Sequence, residues 1–154
     1  MLRILIIINF STMWFAGAMA VNSKNMDTIT FKKSLAELSK DLLYSSESDY
    51  PFEILDWGKK DPQSLKAMMA TLPAPVETVA VSDFFNRYIQ KQEMSGDDIM
   101  KASGRRFNKL QSFIVSNSAD VTVWRSGRIE VGIYIVITAK DGQVLVLKTI
   151  SIET

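Results

Sequence analysis

The chain of 154 residues contains neither cysteine nor histidine. Without cysteine it has no disulfide, no thiol nucleophile and no thiolate metal site. Without histidine it lacks the side chain that most often serves as a general base near neutral pH. An enzyme built from this chain would have to use carboxylates, lysine, tyrosine or hydroxyl groups. The composition therefore disfavours catalysis.

The sequence also lacks an excess of charge of either sign. Lys and Arg total 18 against 17 Asp and Glu, which gives a formal net charge of +1. Domains that bind nucleic acid directly usually carry clustered basic residues and a strongly basic balance. We therefore expect no direct contact with DNA or RNA. A chain of this length, with 47% hydrophobic residues, can bury a core as one domain without disulfides or metal ions.

The first twenty residues have the pattern of a cleavable secretory signal. One positive charge, Arg3, precedes an apolar run over residues 4–15 and the small-x-small sequence Ala18-Met19-Ala20. The run is shorter than the roughly 20 residues that a membrane-spanning helix needs. The sequence predicts a signal peptide at residues 1–20, one domain at residues 21–154, no stable membrane insertion after cleavage, and a periplasmic or secreted location. Translation starting at Met26 would instead give a cytoplasmic protein.

Four segments have the spacing of amphipathic helices. The first follows Thr30, and the second begins at Asp61-Pro62, where Asp can cap and Pro suits the first turn. We expect Ser82 to cap the third helix, and a capping box of Ser95 and Asp98 to begin the fourth. The residues expected to face the core are Phe31, Leu35, Leu38 and Leu42 in the first helix, Leu65, Met68, Met69 and Leu72 in the second, Phe84, Phe85, Tyr88 and Ile89 in the third, and Ile99, Phe107, Leu110 and Ile114 in the fourth.

After residue 117 the pattern becomes that of strands. Residues 121–124 and 144–152 are predicted strands, and β-branched residues at every second position over residues 129–137 indicate a long strand between them. Asp141-Gly142 indicates a two-residue hairpin. The resulting register pairs Ile133 with Ile150, Val131 with Ile152, Ile129 with Thr154, and, around the preceding turn, Trp124 with Ile129. The pattern favours an α+β fold in which helices cover one face of an antiparallel sheet.

Four short motifs, in order along residues 38–154, resemble the nuclease A inhibitor family. They are Ser-Glu-Ser-Asp-Tyr-Pro-Phe-Glu at residues 46–53, Ser-Asp-Phe-Phe at residues 82–85, Arg-Phe-Asn-Lys-Leu at residues 106–110, and the final Glu153-Thr154. The resemblance implies an α/β/α sandwich that binds a Mg²⁺-dependent, non-specific DNA/RNA endonuclease as a monomer in a 1:1 complex. It implies no catalysis and no cofactor of the protein's own.

The same resemblance assigns partner-binding roles to four residues. Glu47 would engage the basic residues of the nuclease active site, because a carboxylate can imitate a phosphate and pair with arginine. Thr154 would reach the Mg²⁺ of the nuclease, since hydroxyl and carboxylate oxygens suit that cation. The third family contact is an Asp-Trp pair, which falls at Glu93 and Met94. The acidic residue is thus conserved in charge as Glu93, and Met94 replaces the aromatic anchor.

Each assignment has a simpler alternative. Glu47 would be an ordinary solvated loop acid, Thr154 a frayed terminus, and Glu93-Met94 part of a polar linker. Two other functions also remain open. One is an exported protein-binding module of the same fold with a different partner, and the other is a hydrolase that uses Glu47 with Glu53, or Glu130 with Glu153, on neighbouring strands.

Overall fold

The computed structural model describes residues 26–154, so the predicted signal peptide at residues 1–20 lies outside the described residues. Within this range no helix is long and apolar enough to cross a membrane. The described part of the chain forms four helices and seven strands. In chain order these are α1 (Thr28–Ser39), β1 (Leu43–Ser45), β2 (Asp49–Pro51), β3 (Glu53–Lys59), α2 (Pro62–Met69), β4 (Val76–Val79), α3 (Val81–Glu93), α4 (Asp98–Asn117), β5 (Ser118–Ser126), β6 (Glu130–Ala139) and β7 (Gln143–Ile152).

Five of the strands form one antiparallel sheet in the order β3-β7-β6-β5-β4. The last strand in the chain, β7, therefore lies between the early strand β3 and its hairpin partner β6. The remaining two strands, β1 and β2, form a small separate hairpin directly before β3. This order carries the β1–β2 hairpin to the side of the sheet where β7 ends.

Helices cover both faces of the sheet. On one face, buried residues of α1, α3 and α4 pack against alternate residues of the central strands, with Phe31, Phe85 and Phe107 facing Ile135 and Leu147. The molecule is therefore α+β with an α/β/α arrangement, as the family resemblance implied, and the one-sided arrangement favoured by the strand pattern is wrong.

The second face is covered by α2. Its Met69 is fully buried against Val136, Val144 and Val146, which are the residues between those of the first core. Because both faces are buried, β6 and β7 are nearly continuous apolar runs instead of strands with one polar face. Asp61 caps α2 by accepting a hydrogen bond from the Ser64 N–H, which confirms the predicted start of this helix.

The register of the β6–β7 hairpin differs by one residue from the prediction. Ile133 lies opposite Thr149 and Glu130 opposite Ile152, because the turn contains three residues, 140–142, instead of two. Gly142 takes a positive φ of 88° in this turn, and such a left-handed residue completes the three-residue type of hairpin loop. A one-residue shift moves side chains to the other face. Thr149 and Ser151 are consequently buried on the face with Ile133.

The preceding turn is also longer than predicted. The last pair of β5 and β6 joins Ser126 to Gly132, and Trp124 lies opposite Tyr134 instead of Ile129. Ile129 is left in the loop and is 65% exposed. The backbone carbonyl of Ile129 accepts a hydrogen bond of 2.8 Å from the Glu153 N–H, so the end of the chain still lies beside this turn.

The starts of α3 and α4 differ from the predicted caps. Ala80 occupies the N-cap of α3 without a side-chain bond, and Ser82 lies inside the helix. Asp97 caps α4 by accepting from two backbone N–H groups, while Ser95 bonds back to the end of α3. Ile99, in the first turn of α4, is 81% exposed, so the prediction that it is buried is wrong.

The end of α1 also differs from the prediction. The helix ends at Ser39, so Leu42 is buried from the connecting loop and not from the helix.

Candidate functional site

The loop of the β1–β2 hairpin presents Glu47 at its tip. Ser46 and Ser48 close the loop, because the backbone N–H and the hydroxyl of Ser46 both donate to the Ser48 carbonyl at 3.1 Å. Serine favours such local bonds, which is why the Ser-Glu-Ser sequence forms a tight turn. The Glu47 side chain is exposed at the tip.

The end of β7 runs directly beside this loop. The Ile152 N–H donates to the Ser46 hydroxyl oxygen at 2.9 Å. Two residues later the Thr154 N–H donates to Oε1 of Glu47 at 3.1 Å, and the Thr154 hydroxyl donates a short hydrogen bond to the same oxygen. Two residues that are 107 positions apart in the chain are thus in direct contact. Within residues 26–154, Oε2 of Glu47 has no hydrogen-bond partner.

Packed aromatic rings anchor the residues that flank the Glu47 loop. Tyr44, at the centre of β1, stacks on Tyr88 of α3 with ring centroids 4.8 Å apart and on Phe84 at 5.7 Å. Phe52, which follows the loop, meets the Tyr44 ring edge-on at 6.5 Å. Burial raises the pKa of the Tyr44 phenol, so it stays protonated at neutral pH. The aromatic rings hold both ends of the Glu47 loop on the core.

The Tyr88 hydroxyl fastens β1 to α3 by two hydrogen bonds. It accepts from the Ser45 N–H at 3.0 Å and donates to the Leu43 carbonyl at 3.2 Å. We expect Tyr88→Phe to destabilise the protein by about 1–2 kcal/mol, because both part-buried backbone groups lose a partner. Thermal unfolding followed by circular dichroism should show a melting temperature lower by about 3–6 °C. An unchanged melting temperature would show that water replaces the hydroxyl without loss.

An ion-pair network fixes the residue before Thr154. The Glu153 carboxylate pairs with Arg125 of β5 and accepts from the Ser151 hydroxyl at 3.0 Å. Arg125 is also 3.3 Å from the carboxylate of Glu77 on the edge strand β4. Together with the bond from the Glu153 N–H to Ile129, these contacts order the chain up to its last residue. The end of the strand is therefore held and does not have the contacts of a frayed terminus.

A groove of about 360 Å³ lies between the Glu47 loop, the end of β7 and α3. Lys91 of α3 lines it together with Glu47, Ser151 and Thr154. The groove is therefore bordered by both signs of charge.

The third predicted contact lies at the end of α3. Glu93 is the last residue of this helix and Met94 its C-cap; both are exposed, Met94 by 86%. Within residues 26–154, no hydrogen bond or ion pair joins either of them to Glu47 or Thr154. They follow Lys91 by two and three residues and do not line the groove. Of the four predicted residues, the structure thus brings Glu47 and Thr154 into contact and leaves Glu93 and Met94 outside that contact.

Several residues of the site were not predicted from the sequence. Tyr88 was expected only to face the core and Tyr44 was not singled out, and only the fold shows that both support the loop. Arg125 gave no signal, because its two acidic partners are distant in the chain. Ser46 is the exception: its place two residues before Ser48 in a turn sequence could have identified it as a residue that shapes the loop.

The geometry disfavours the acid pairs considered for hydrolysis. With the observed register Glu130 lies opposite Ile152, so Glu130 and Glu153 point to opposite faces of the sheet. Glu53 lies opposite Lys148 in the β3–β7 ladder. Among residues 26–154 no three acidic side chains come close enough to hold a metal ion.

The chain matches no curated protein. The family model described as nuclease A inhibitor-like protein matches residues 30–154, which includes the Glu47 loop, the Phe-Phe motif of α3 and the C-terminal strand. Because the match spans most of the chain and every described strand, this protein belongs to the nuclease A inhibitor-like family.

Proposed function

We propose that the protein inhibits a Mg²⁺-dependent, non-specific nuclease by binding to it and covering its active site. The observation that carries the proposal is the contact between Glu47 and Thr154, which places a carboxylate and a hydroxyl oxygen side by side on an exposed, braced surface. A nuclease of this kind uses basic residues and a metal ion to hold one phosphate. The paired oxygens present both types of ligand at one place.

The free oxygen of Glu47 would bind the basic residues of the nuclease. Its Oε1 is occupied by Thr154, so Oε2 remains to accept a charge-assisted hydrogen bond from a guanidinium group. Such a bond is strong because water is excluded when the two surfaces meet. The carboxylate is also held in place before binding, which lowers the entropy lost on association.

Thr154 would bind the Mg²⁺ of the nuclease through its hydroxyl oxygen. The hydroxyl donates its proton to Glu47, which leaves the lone pairs of its oxygen available to a cation, and Thr154 is exposed. Donating a proton to a carboxylate also makes the oxygen more electron-rich, which suits a hard cation. The metal belongs to the nuclease, and the inhibitor needs no cofactor of its own.

Glu93 and Met94 would form a second contact. A nuclease that covers the Glu47–Thr154 pair also covers the groove lined by Lys91, and Glu93 and Met94 follow Lys91 at the exposed end of α3. Met94 replaces the expected aromatic anchor with a flexible apolar side chain, which can fill an irregular pocket. An ordinary interface of about 1,600 Å² is large enough to include both contacts.

The competing function is an exported binding module with another protein partner. The exposed Met94 favours it, because a typical interface anchor is missing at that position. Both functions are compatible with the signal-like pattern of residues 1–20, from which we propose a periplasmic or secreted location. Binding to a nuclease is the property that separates the two.

The test is a titration of the full chain into nuclease A, and into other metal-dependent nucleases of the same class, while DNA cleavage is followed. We expect activity to fall linearly to zero near one equivalent. Removing Thr154 should weaken inhibition by about tenfold or more, because one ligand of the metal is lost. If the intact chain neither inhibits nor binds any of these enzymes, the inhibitor function is wrong and the binding module is supported.

A further inference from the structure

A second groove, distinct from the one beside Thr154, lies on the other side of the Glu47 loop. It has a volume of about 590 Å³ and runs between the β1–β2 hairpin and the start of α4. Leu42, Leu43, Ile99 and Met100 give it a mainly apolar lining. Ser45 and Ser46 line both grooves, so the two are separated only by the loop that presents Glu47.

Gln92 lines this second groove. It is a polar residue at a core position, which is unusual. It follows Phe85 and Tyr88 along the buried face of α3 and is 1% exposed. Gly104 of α4 allows this burial, because a Cβ there would lie 3.2 Å from Cβ of Gln92. The Nε2 group of Gln92 has no hydrogen-bond partner within residues 26–154. Buried polar groups are nearly always paired, so a donor left unpaired needs an explanation.

The walls of the groove are held in place independently of any ligand. Arg106 of α4 donates to the carbonyls of Lys40 and Asp41, which fixes the turn between α1 and β1. Asp41 adopts a positive φ of 56° in that turn. Ile99 nevertheless stays 81% exposed at the rim and Leu43 43% exposed. The groove is thus a preformed apolar surface that the rest of the described chain leaves uncovered.

We propose that this groove binds a surface segment of the nuclease next to its active site. The segment would place an apolar side chain against Leu43 and Ile99, and a carbonyl oxygen within reach of the Gln92 amide. The terminal torsion of glutamine is soft, so the donor can turn towards an acceptor that enters. The inference rests on the proposed function, and it names the apolar part of that interface.

Continuity and charge both indicate the nuclease as the occupant. A protein that covers Glu47 is in contact with Ser45 and Ser46, which already form one wall of the groove. The rim carries the acidic residues Asp41 and Asp49, and the basic residue in the lining, Arg106, is bound to the carbonyls of Lys40 and Asp41. The surface around a nuclease active site is basic because it binds nucleic acid, so these acids attract it and help to orient it.

The test compares two isoleucines of the full chain that are matched in exposure and in helix position. Ile99 and Ile29 are 81% and 83% exposed and each is the second residue of its helix, α4 and α1. We expect Ile99→Asn, which removes the apolar contact without adding charge, to weaken binding to the nuclease by about tenfold. Ile29→Asn should change it by less than about twofold.

Gln92→Leu tests the buried donor itself. Leucine keeps the packing and removes the unpaired N–H, so the melting temperature should stay the same or rise while the affinity for the nuclease falls by about fivefold. If Ile99→Asn and Gln92→Leu both bind as tightly as the parent protein while Glu47→Ala binds more weakly, the groove proposal is wrong and the inhibitor function stands. If the parent protein itself does not bind, both proposals are wrong.

Discussion

Glu47→Ala should weaken inhibition of the nuclease by about 100-fold or more. Truncating one partner of a buried, hydrogen-bonded charge pair costs about 2–5 kcal/mol, and each 1.4 kcal/mol, roughly, is a factor of ten in affinity. The change also removes the acceptor of the two hydrogen bonds from Thr154. Inhibition constants measured at equal ionic strength give the result directly. Glu53→Ala is the matched control, because Glu53 is also an exposed acid but lies on β3 opposite Lys148.

The Glu47→Gln variant separates charge from local structure. Its amide oxygen can still accept the bonds from Thr154, while the negative charge is lost. We expect Glu47→Gln to lose most of the inhibition as well, since the charge is what the nuclease would recognise. Full inhibition by this variant, with loss in the alanine variant, would mean that Glu47 only holds Thr154 in place.

Because Glu47 and Thr154 are in contact, we expect their effects on inhibition to be coupled when both residues are changed. If both act on one phosphate-binding centre, removing Thr154 from the Glu47→Ala protein should cost less than removing it from the parent. Residues in direct contact commonly show interaction energies of about 0.5–3 kcal/mol in such a cycle. Strict additivity would indicate that the two side chains act at separate places on the nuclease.

Phe107→Ala should have the largest effect on stability, about 3–5 kcal/mol. The ring is fully buried on α4 and lies 4.2 Å from the ring of Tyr88 and 5.8 Å from that of Phe52, measured between centroids. Alanine would leave a cavity at the point where α4 supports the Glu47 loop. Since the total stability of such domains is about 5–15 kcal/mol, much of it would be lost.

Denaturant unfolding of Phe107→Ala beside Phe113→Ala provides the measurement. Phe113 lies on the same helix and stacks on Phe31 at 5.1 Å, but it is only partly buried, so its loss should cost less. Inhibition by Phe107→Ala, tested at a temperature at which the variant is still folded, should also be weaker, because Phe52 and Tyr88 lose a common neighbour. Equal midpoints for the two variants would contradict this account of the core.

The sequence predicted the type and order of most elements because the signals are local. The apolar spacing from Phe31 and the Asp61-Pro62 start are each decided within a few residues, and both are found. The start of α4 was missed because a competing contact decides it: Ser95 bonds back to α3, so Asp97 takes the cap of α4. The start of α3 was missed because its N-cap is Ala80, which forms no side-chain hydrogen bond. Ile99 was expected to be buried because its spacing fits the helix, but the described part of the chain leaves it 81% exposed.

Features that depend on long-range contacts could not be predicted in the same way. The register of β6 and β7 depends on whether the hairpin loop has two or three residues, and the Asp141-Gly142 sequence is compatible with both. The pairing of Arg125 with Glu77 and Glu153 joins β5 to β4 and to the residue that follows β7, and it leaves no trace in the local sequence. The family resemblance supplied what periodicity could not, namely that both faces of the sheet are covered. It also assigned Glu47 and Thr154 to the active site of one partner, and the structure shows that these two residues are in contact.

The position of β7 has a consequence for the synthesis of the protein. This strand is the last described strand to leave the ribosome, yet it is the only link between β3 and the rest of the sheet. Until it is made, β3 and the hairpin that carries Glu47 have no sheet neighbour among the described strands, and the closure of a long loop must precede their docking. A chain that ends before β7 therefore cannot display the assembled pair of oxygens. We expect the proposed binding surface to form only when β7 is inserted.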